Sequence, residues 1–234
     1  MSSERPFRLL NGTPAAPVPG DARPIGRARE RGELMYITHD NRYRLEFAGQ
    51  TDPGQVRQTN EDGFLALPEC GLFAVADGVG GRNRGELASA TALEVLAQRF
   101  KAAALGEDRL ADLLPGKASE LLVESVFAAH REIVKRASAE PGCTGMSTTI
   151  MSAFFSRTRV HIAHAGDSRC YLMENGNLRQ LTTDHTVIEE LKRLMPYTPE
   201  LASKLAPLNI VAACSREIQR STGEIGGITP YLGR

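Results

Sequence analysis

Two apolar runs joined by a short loop make up the stretch Phe64-Leu65-Ala66-Leu67-Pro68-Glu69-Cys70-Gly71-Leu72-Phe73-Ala74-Val75-Ala76. Each run has the length and composition of a buried strand. A proline and a glycine bound the connection, which is typical of a hairpin loop. Strands joined by a hairpin are antiparallel, so this stretch predicts an antiparallel sheet.

The segments on both sides extend this pattern. Tyr43, Leu45 and Phe47 occupy every second position, as in a half-buried strand. Apolar residues then recur every three or four positions, which predicts helices around residues 93–100 and 122–137. Further strands are predicted at residues 148–155, 160–165, 170–173 and 178–181, and short helices at 187–194 and from Thr198-Pro199-Glu200. Strands, two long helices and more strands in this order indicate an α+β fold rather than a doubly wound parallel sheet.

Composition and charge exclude several classes of protein. Lys plus Arg number 28 and Asp plus Glu number 28, so the chain lacks the basic surplus with which proteins usually bind nucleic acid. Its apolar stretches fall far short of the ~20 residues of a membrane-spanning helix. The first residues lack the apolar core of a signal peptide, and the cysteines lack the close spacings of zinc sites. We therefore expect a cytoplasmic protein without nucleic-acid or membrane partners.

The two ends of the chain differ from its middle. Residues 1–42 are rich in proline and arginine and show no apolar period, which predicts a disordered N-terminal extension. Met35 is an alternative start, because the sequence after it begins to look folded. Residues 215–234 contain several glycines and no strand alternation, so we expect an irregular C-terminal tail. Residues 43–214 then form the folded domain.

Three acidic clusters lie at predicted strand ends or turns, namely Asn60-Glu61-Asp62, Asp77-Gly78 and Gly166-Asp167. An aspartate at the end of an apolar strand is costly to bury unpaired, and solvent, a turn hydrogen bond or a metal ion can satisfy it. Carboxylates next to glycines, whose carbonyls are accessible, suit Mg²⁺ or Mn²⁺. The clusters together indicate a site for a hard divalent cation, although any one aspartate alone could cap a turn.

The glycines around Gly78 also suggest a phosphate-binding loop of a nucleotide-binding fold. The dinucleotide pattern needs a glycine where this chain has Asn83, and the P-loop pattern needs Lys followed by Ser or Thr where it has Glu86. The Gly-x-Ser-x-Gly motif of serine hydrolases does not occur. The sequence therefore favours neither a nucleotide-binding fold nor a serine hydrolase.

Several motifs of the chain resemble, in order and spacing, those of the type 2C protein phosphatases, which are metal-dependent serine/threonine phosphatases. These motifs are Arg57-Gln58-Thr59-Asn60-Glu61-Asp62, Leu72-Phe73-Ala74-Val75-Ala76-Asp77-Gly78-Val79-Gly80-Gly81, Gly145-Met146-Ser147-Thr148, Gly166-Asp167-Ser168-Arg169-Cys170-Tyr171-Leu172 and Thr182-Thr183-Asp184-His185-Thr186. The resemblance covers about residues 43–205 and is nearest to bacterial members. It implies two antiparallel β-sheets sandwiched between helices, an α-β-β-α arrangement.

The resemblance also implies a centre with two Mn²⁺ or Mg²⁺ ions. By position, Asp77 bridges the two ions and the carbonyl of Gly78 joins it. Glu61 and Asp62 match acidic residues that hold metal-bound waters. Asp167 matches a ligand of a third, weaker metal ion in bacterial members.

The reaction implied is hydrolysis of phosphoserine and phosphothreonine on proteins by a metal-activated water, with Arg57 and Asp77 as catalytic residues. Arg57 matches the arginine that holds the substrate phosphate, although taken alone it could be a surface arginine. Val79 stands where animal members have a general-acid histidine, so the leaving group must be protonated by another residue or by metal-bound water. Phosphorylated proteins and a bacterial serine/threonine kinase are the partners implied.

The C-terminal part departs from the family pattern. Family members place two further metal-binding aspartates there, whereas this chain has no aspartate after Asp184. The sandwich would then be incomplete at its C-terminus, and the chain would keep the ligands of only one ion. Glu217 and Glu224 could substitute, but no motif surrounds them. The alternative expectation is a catalytically weak or inactive phosphatase-like module that binds or regulates phosphorylated partners.

Overall fold

The computed structural model describes residues 28–37, 42–79, 84–106, 109–157, 159–194, 198 and 219–224. In chain order, the elements within these residues are β1 (Ala28–Ile37), β2 (Arg42–Thr51), β3 (Asp62–Leu67), β4 (Leu72–Val79), α1 (Gly85–Ala104), α2 (Pro115–Ala139), β5 (Ser147–Thr148), β6 (Ile150–Phe155), β7 (Arg159–Ala165), β8 (Tyr171–Glu174), β9 (Asn177–Gln180), α3 (Val187–Leu194) and β10 (Gln219–Glu224). None of these helices has the length and apolar character needed to cross a membrane. The helix predicted from Thr198-Pro199-Glu200 lies outside the described residues.

A six-stranded antiparallel sheet forms the centre of the fold. Its strand order is β10-β7-β6-β4-β3, and the short strand β5 pairs with the end of β4. Two further antiparallel pairs are β1 with β2 and β8 with β9. Consecutive strands joined by hairpins pair in this way. The α+β class with antiparallel sheets, predicted from the sequence, is confirmed.

Two tight turns follow directly from their residues. Gly71 closes the 3₁₀ turn Pro68–Cys70 with a φ of 66°, a left-handed conformation that glycine adopts without strain. Asn175 and Gly176 join β8 to β9 with φ values of 50° and 80°, and two positive φ angles in succession are typical of a type I′ turn. Both hairpins predicted from the sequence are confirmed.

Helices α1 and α2 pack against each other and cover one face of the central sheet. Leu72 and Ala74 of β4 point into this interface and are almost fully buried. Phe100 of α1 meets Phe154 of β6 with a ring-centroid distance of 5.2 Å. Burial of a large apolar side chain of this kind stabilises the fold by roughly 1.5–3 kcal/mol. The apolar period that predicted the helices therefore marks the faces that cover the sheet.

The opposite face of the sheet carries the alternate residues of β4. The ring centroid of Phe73 lies 5.1 Å from that of Phe47 on β2 and 5.6 Å from that of Phe155 on β6. The approach of β2 is close, because a Cβ at Gly49 would lie 2.5 Å from the Phe64 ring. Strand β2 thus packs on the face opposite the helices, where the second sheet of a sandwich belongs.

Two strands lie in segments for which the sequence predicted no regular structure. Strand β1 falls within residues 1–42, predicted to be disordered, and β10 within residues 215–234, predicted to be irregular. Those predictions are wrong for both strands. Strand β1 pairs with β2 along its whole length, and β10 pairs with β7. Strand pairing depends on main-chain hydrogen bonds, which do not require apolar residues at alternate positions. The apolar periodicity of the sequence therefore could not predict these two strands. The limits 43–214 of the domain stay a prediction.

Candidate metal centre

The β3–β4 hairpin brings two aspartates together. Its residue pairs run from Leu67 and Leu72 at the loop to Asp62 and Asp77 at the open end. The two aspartates are cross-strand neighbours, close enough for the charge of Asp62 to raise the pKa of Asp77. The sequence placed each aspartate at a strand end, and the strand pairing makes them face each other.

The pKa of Asp77 reflects a crowded acidic site. The pKa of Asp77 is raised from 3.8 to about 6, chiefly by partial burial and further by the charge and hydrogen bonding of Asp62 and the charge of Asp167. The positive charge of Arg57 acts in the opposite direction. Arg57 and Asp62 come from one short segment and Asp167 from a distant one, and all three lie within electrostatic reach of Asp77. A proton or a cation relieves such a cluster of like charges.

Backbone packing beside Asp77 leaves no room for side chains at two glycines. A Cβ at Gly78 would lie 2.2 Å from the Gly85 carbonyl oxygen and 2.6 Å from that of Glu61. The Gly78 amide donates a hydrogen bond to the Glu61 carbonyl at 3.1 Å. A Cβ at Gly85 would lie 3.0 Å from the Gly78 carbonyl oxygen. Glycine at position 85 therefore leaves the Gly78 carbonyl uncovered on that side, as a carbonyl ligand requires.

Glu61 directly precedes β3 in the chain, and its side chain lies against the N-terminal end of α1. Only 9% of its surface is exposed. Its carboxylate carbon lies 3.0 Å from the position of a Cβ at Gly85, the first residue of that helix. Negative charge is favourable at a helix N-terminus. The Glu61 carbonyl also accepts a hydrogen bond from Ser89 Oγ at 2.6 Å. Glu61 thus joins the hairpin to α1, and its role toward metal-bound water stays a prediction.

Arg57 lies in the exposed loop between β2 and β3. Asn60 closes this loop at both ends. Its Nδ2 donates to Thr51 Oγ1 at 2.8 Å, and its Oδ1 accepts from the Asp62 amide at 3.1 Å. The sequence analysis named Asn60 only as part of an acidic cluster and assigned it no function. In the structure, Asn60 anchors the loop that carries Arg57 beside the aspartates.

Asp167 lies in the turn that follows β7. Gly166 has a φ of 106°, and a Cβ there would lie 2.6 Å from Thr149 Cγ2. The Gly166 amide donates to His185 Nδ1 at 3.3 Å, and the His185 amide donates to the Gly166 carbonyl at 3.0 Å. The sequence analysis missed Thr149, although its position directly after the motif ending at Thr148 was an available signal. His185 belongs to a motif that the sequence analysis quoted without a role.

The donors present fit part of the shell of a hard cation. Within the described residues, no three His, Cys, Asp or Glu side chains meet at metal-binding distances. Asp62 and Asp77 face each other across the hairpin next to the Gly78 carbonyl, and Asp167 lies close enough for its charge to act on Asp77, so the donors available are all oxygens. Oxygen donors with excess negative charge suit Mg²⁺ or Mn²⁺.

Comparison with known proteins points to one family. Residues 53–218 match the model of the family Protein phosphatase 2C. The chain is 34% identical over 165 residues to the serine/threonine phosphatase stp of Listeria welshimeri, a match that covers 69% of this chain and 63% of that protein. It is 36% identical over 158 residues to the serine/threonine protein phosphatase PstP of Mycobacterium tuberculosis, covering 68% of this chain and 28% of PstP.

A solved structure has the same architecture. It is the catalytic domain of serine/threonine protein phosphatase PstP in complex with two manganese ions, with a TM-score of 0.59 and 29% identity, covering 84% of this chain and 72% of that one. The chain spans less than two thirds of the length of the Listeria relative, 63%. Every candidate site residue, from Arg57 to Asp167, lies within the residues 53–218 that match the family model.

Proposed function

The chain belongs to the protein phosphatase 2C family, and on this basis we propose that it is a metal-dependent protein serine/threonine phosphatase. Its substrates are phosphoserine and phosphothreonine on proteins. The observation that carries the proposal is the pairing of Asp62 with Asp77 at the end of the β3–β4 hairpin, with Asp167 and Arg57 close enough for their charges to act on Asp77. This arrangement supports the proposal because it puts oxygen donors for a cation beside a cationic group for phosphate.

We propose Mn²⁺ or Mg²⁺ as the cofactor and two ions as its number, as in the PstP neighbour with two manganese ions. Asp77 and the Gly78 carbonyl would hold the ions directly. Asp62 and Glu61 would hold waters bound to them, and Asp167 would hold a third, weaker ion. When bound, such ions neutralise phosphate charge and make a bound water nucleophilic near neutral pH.

Arg57 binds the phosphoryl group of the substrate. Its planar guanidinium presents a pair of N–H donors that matches two phosphate oxygens, which a lysine cannot do. The loop that carries it is exposed and anchored by Asn60, so a phosphorylated segment of another protein can approach. Val79 has no proton to give, so the leaving oxygen takes its proton from another residue or from water.

We further propose the partner and the compartment. The phosphorylated substrates are products of a serine/threonine kinase, because a phosphatase of this class needs a kinase to supply them. A cytoplasmic location is supported by Cys70, Cys143 and Cys170, which are free thiols in the part of the chain that the structure describes. Thiols persist in reducing compartments.

The test is release of phosphate from a phosphothreonine peptide by residues 1–234 in the presence of Mn²⁺. We expect a rate that EDTA abolishes, and a kcat/KM at least about 100-fold lower in the Asp77→Asn variant, because the centre would lose a carboxylate that holds the ions. Asp112→Asn is the matched control, since Asp112 lies between α1 and α2 and pairs with Arg157. Equal rates for the two variants would contradict the role assigned to Asp77.

The alternative function is a phosphatase-like module that binds phosphorylated proteins with little turnover. It is favoured by residues 185–234, which contain no aspartate to complete the centre. Calorimetric titration with Mn²⁺ separates the two functions. Two tight sites support the enzyme. One site or none, combined with phosphopeptide binding but no phosphate release, supports the module.

A further inference from the structure

A buried hydroxyl lies between the end of β4, which carries Asp77, and the turn after β7, which carries Asp167. It belongs to Thr149, which sits between β5 and β6 and is 3% exposed. The neighbouring residue Thr148 pairs with Gly78 in the antiparallel ladder of β4 and β5. Thr149 is therefore held directly beside the end of β4, on the side opposite β3.

Three polar contacts join Thr149 to both halves of the centre. The Asp77 amide donates to Thr149 Oγ1 at 3.0 Å, and the Thr149 amide donates to the Asp77 carbonyl at 2.9 Å. Thr149 Oγ1 also lies 2.6 Å from Ser168 Oγ, in the residue that follows Asp167. After accepting from the Asp77 amide, the threonine hydroxyl still has a proton and a lone pair, so this last bond can form in either direction.

The methyl group of Thr149 makes a second contact with the same turn. A Cβ at Gly166 would lie 2.6 Å from Thr149 Cγ2 and 2.7 Å from Thr149 Cβ. The turn therefore packs directly on the threonine side chain on one flank of Asp167 and bonds to its hydroxyl on the other. The shape and the hydroxyl of Thr149 thus act on the residues immediately before and after Asp167.

We propose that Thr149 is a positioning residue that sets the separation of the Asp77 and Asp167 carboxylates and thereby the affinity of the centre for Mn²⁺. The inference rests on the proposed function, because it concerns the same metal centre. Groups that orient metal ligands contribute strongly to metal affinity, and their loss typically lowers it by about 10- to 100-fold. A hydroxyl that also accepts a buried amide cannot be replaced by a methyl group without leaving that amide unpaired.

The test is calorimetric titration of the full chain with MnCl₂, with thermal unfolding in EDTA as a separate measure of stability. Thr149→Val keeps the shape of the side chain and removes the hydroxyl, so we expect the Mn²⁺ affinity to fall by about tenfold. Thr149→Ser restores the hydroxyl, and we expect an affinity within about twofold to threefold of the original, because only the methyl contact is lost.

Ser152→Ala is the matched control. Ser152 lies on β6 three residues away, is fully buried, and donates through its hydroxyl to the Ala163 carbonyl at 2.8 Å. We expect this variant to lose stability in EDTA while its Mn²⁺ affinity stays unchanged. Ser168→Ala removes only the bond between Thr149 and the Asp167 turn, and we expect a smaller loss of affinity, about threefold.

The outcomes separate this inference from the proposed function. Unchanged Mn²⁺ affinity in Thr149→Val overturns the positioning role and leaves the phosphatase proposal intact. If Thr149→Val does not fold, unchanged affinity in Ser168→Ala overturns the role instead. If the unsubstituted protein binds no Mn²⁺, both the proposed metal dependence and this inference are wrong. Reduced affinity in Thr149→Val that Thr149→Ser restores supports the inference.

Discussion

The aspartates on the two sides of the candidate metal centre are held in different ways. Asp77 is placed by the backbone, since β4 pairs with β3 on one side and with β5 on the other. Asp167 is placed mainly by side chains, because its turn bonds to the side chains of Thr149 and His185 and has one main-chain bond, from the His185 amide to the Gly166 carbonyl. A ladder of main-chain bonds is disrupted as a unit, whereas side-chain contacts can be removed one at a time. The two halves should therefore respond differently to substitution.

A third side-chain contact strengthens the Asp167 turn. Arg169 Nε donates to both carboxylate oxygens of Asp184, at 2.9 Å and 3.0 Å, and Gln180 Nε2 donates to the same carboxylate at 3.1 Å. The Arg169 side chain is 48% exposed and that of Asp184 is 12% exposed. An ion pair with one exposed partner contributes modestly to stability. Several contacts that are each weak therefore stabilise the turn together.

The largest effect is expected at the backbone-built half, from Gly78→Ala. The added Cβ would lie 2.2 Å from the Gly85 carbonyl oxygen, and neither backbone segment can move freely. We expect a loss of about 3 kcal/mol in the free energy of unfolding and no measurable Mn²⁺ binding. Thermal unfolding and calorimetry check both.

Gly116→Ala is the control for this substitution. Gly116 lies in the first turn of α2, and a Cβ there meets nothing within 4 Å. We expect this variant to gain about 0.5–1 kcal/mol of stability, as alanine does in place of a helical glycine. A Gly78→Ala protein as stable as the original would mean that the hairpin end is not rigid.

A smaller effect is expected from pH, which probes the charges that the two halves bring together. Native Asp77 keeps its proton up to about pH 6, whereas an unfolded aspartate releases it near 3.8. The native state therefore binds more protons between these values, and its stability falls as pH rises through the window. We measure both proteins in EDTA. As the pH rises from 4 to 7, we expect the unfolding temperature of the unsubstituted protein to fall by a few degrees more than that of Asp77→Asn. Parallel curves for the two proteins would contradict the elevated pKa.

The smallest effect is expected at the side-chain-held half, from Arg169→Lys. Lysine keeps the charge but cannot bind Asp184 with the planar fork of arginine. We expect a loss of about 0.5 kcal/mol and a slightly weaker Mn²⁺ affinity. Arg157→Lys is the control, because Arg157 pairs with Asp112 away from the centre. A Mn²⁺ affinity that falls equally in both variants would show that the Asp167 turn has no special dependence on Arg169.

Much of the fold was predictable from local patterns in the sequence. The alternation at Tyr43, Leu45 and Phe47 lies within β2, and the predicted helix at residues 187–194 coincides with α3 (Val187–Leu194). Positive-φ turns followed from Gly71 and from Asn175-Gly176. Each of these features depends on residues within a few positions of one another, so the sequence is sufficient to predict them. The motifs that indicate the metal-dependent family are local in the same sense.

Only the tertiary structure decided which segments meet. The pairing of β1 with β2, the facing of Asp62 and Asp77, and the bridge from Thr149 to Ser168 join residues that periodicity treats separately. Hydrophobic period indicates which side of a strand or helix is buried, but it carries no information on the neighbour that buries it. Polar residues such as Thr149 become buried only because a distant backbone supplies their hydrogen bonds. That dependence on remote partners is the reason that the sequence predicted the acidic clusters yet not the residue that links them.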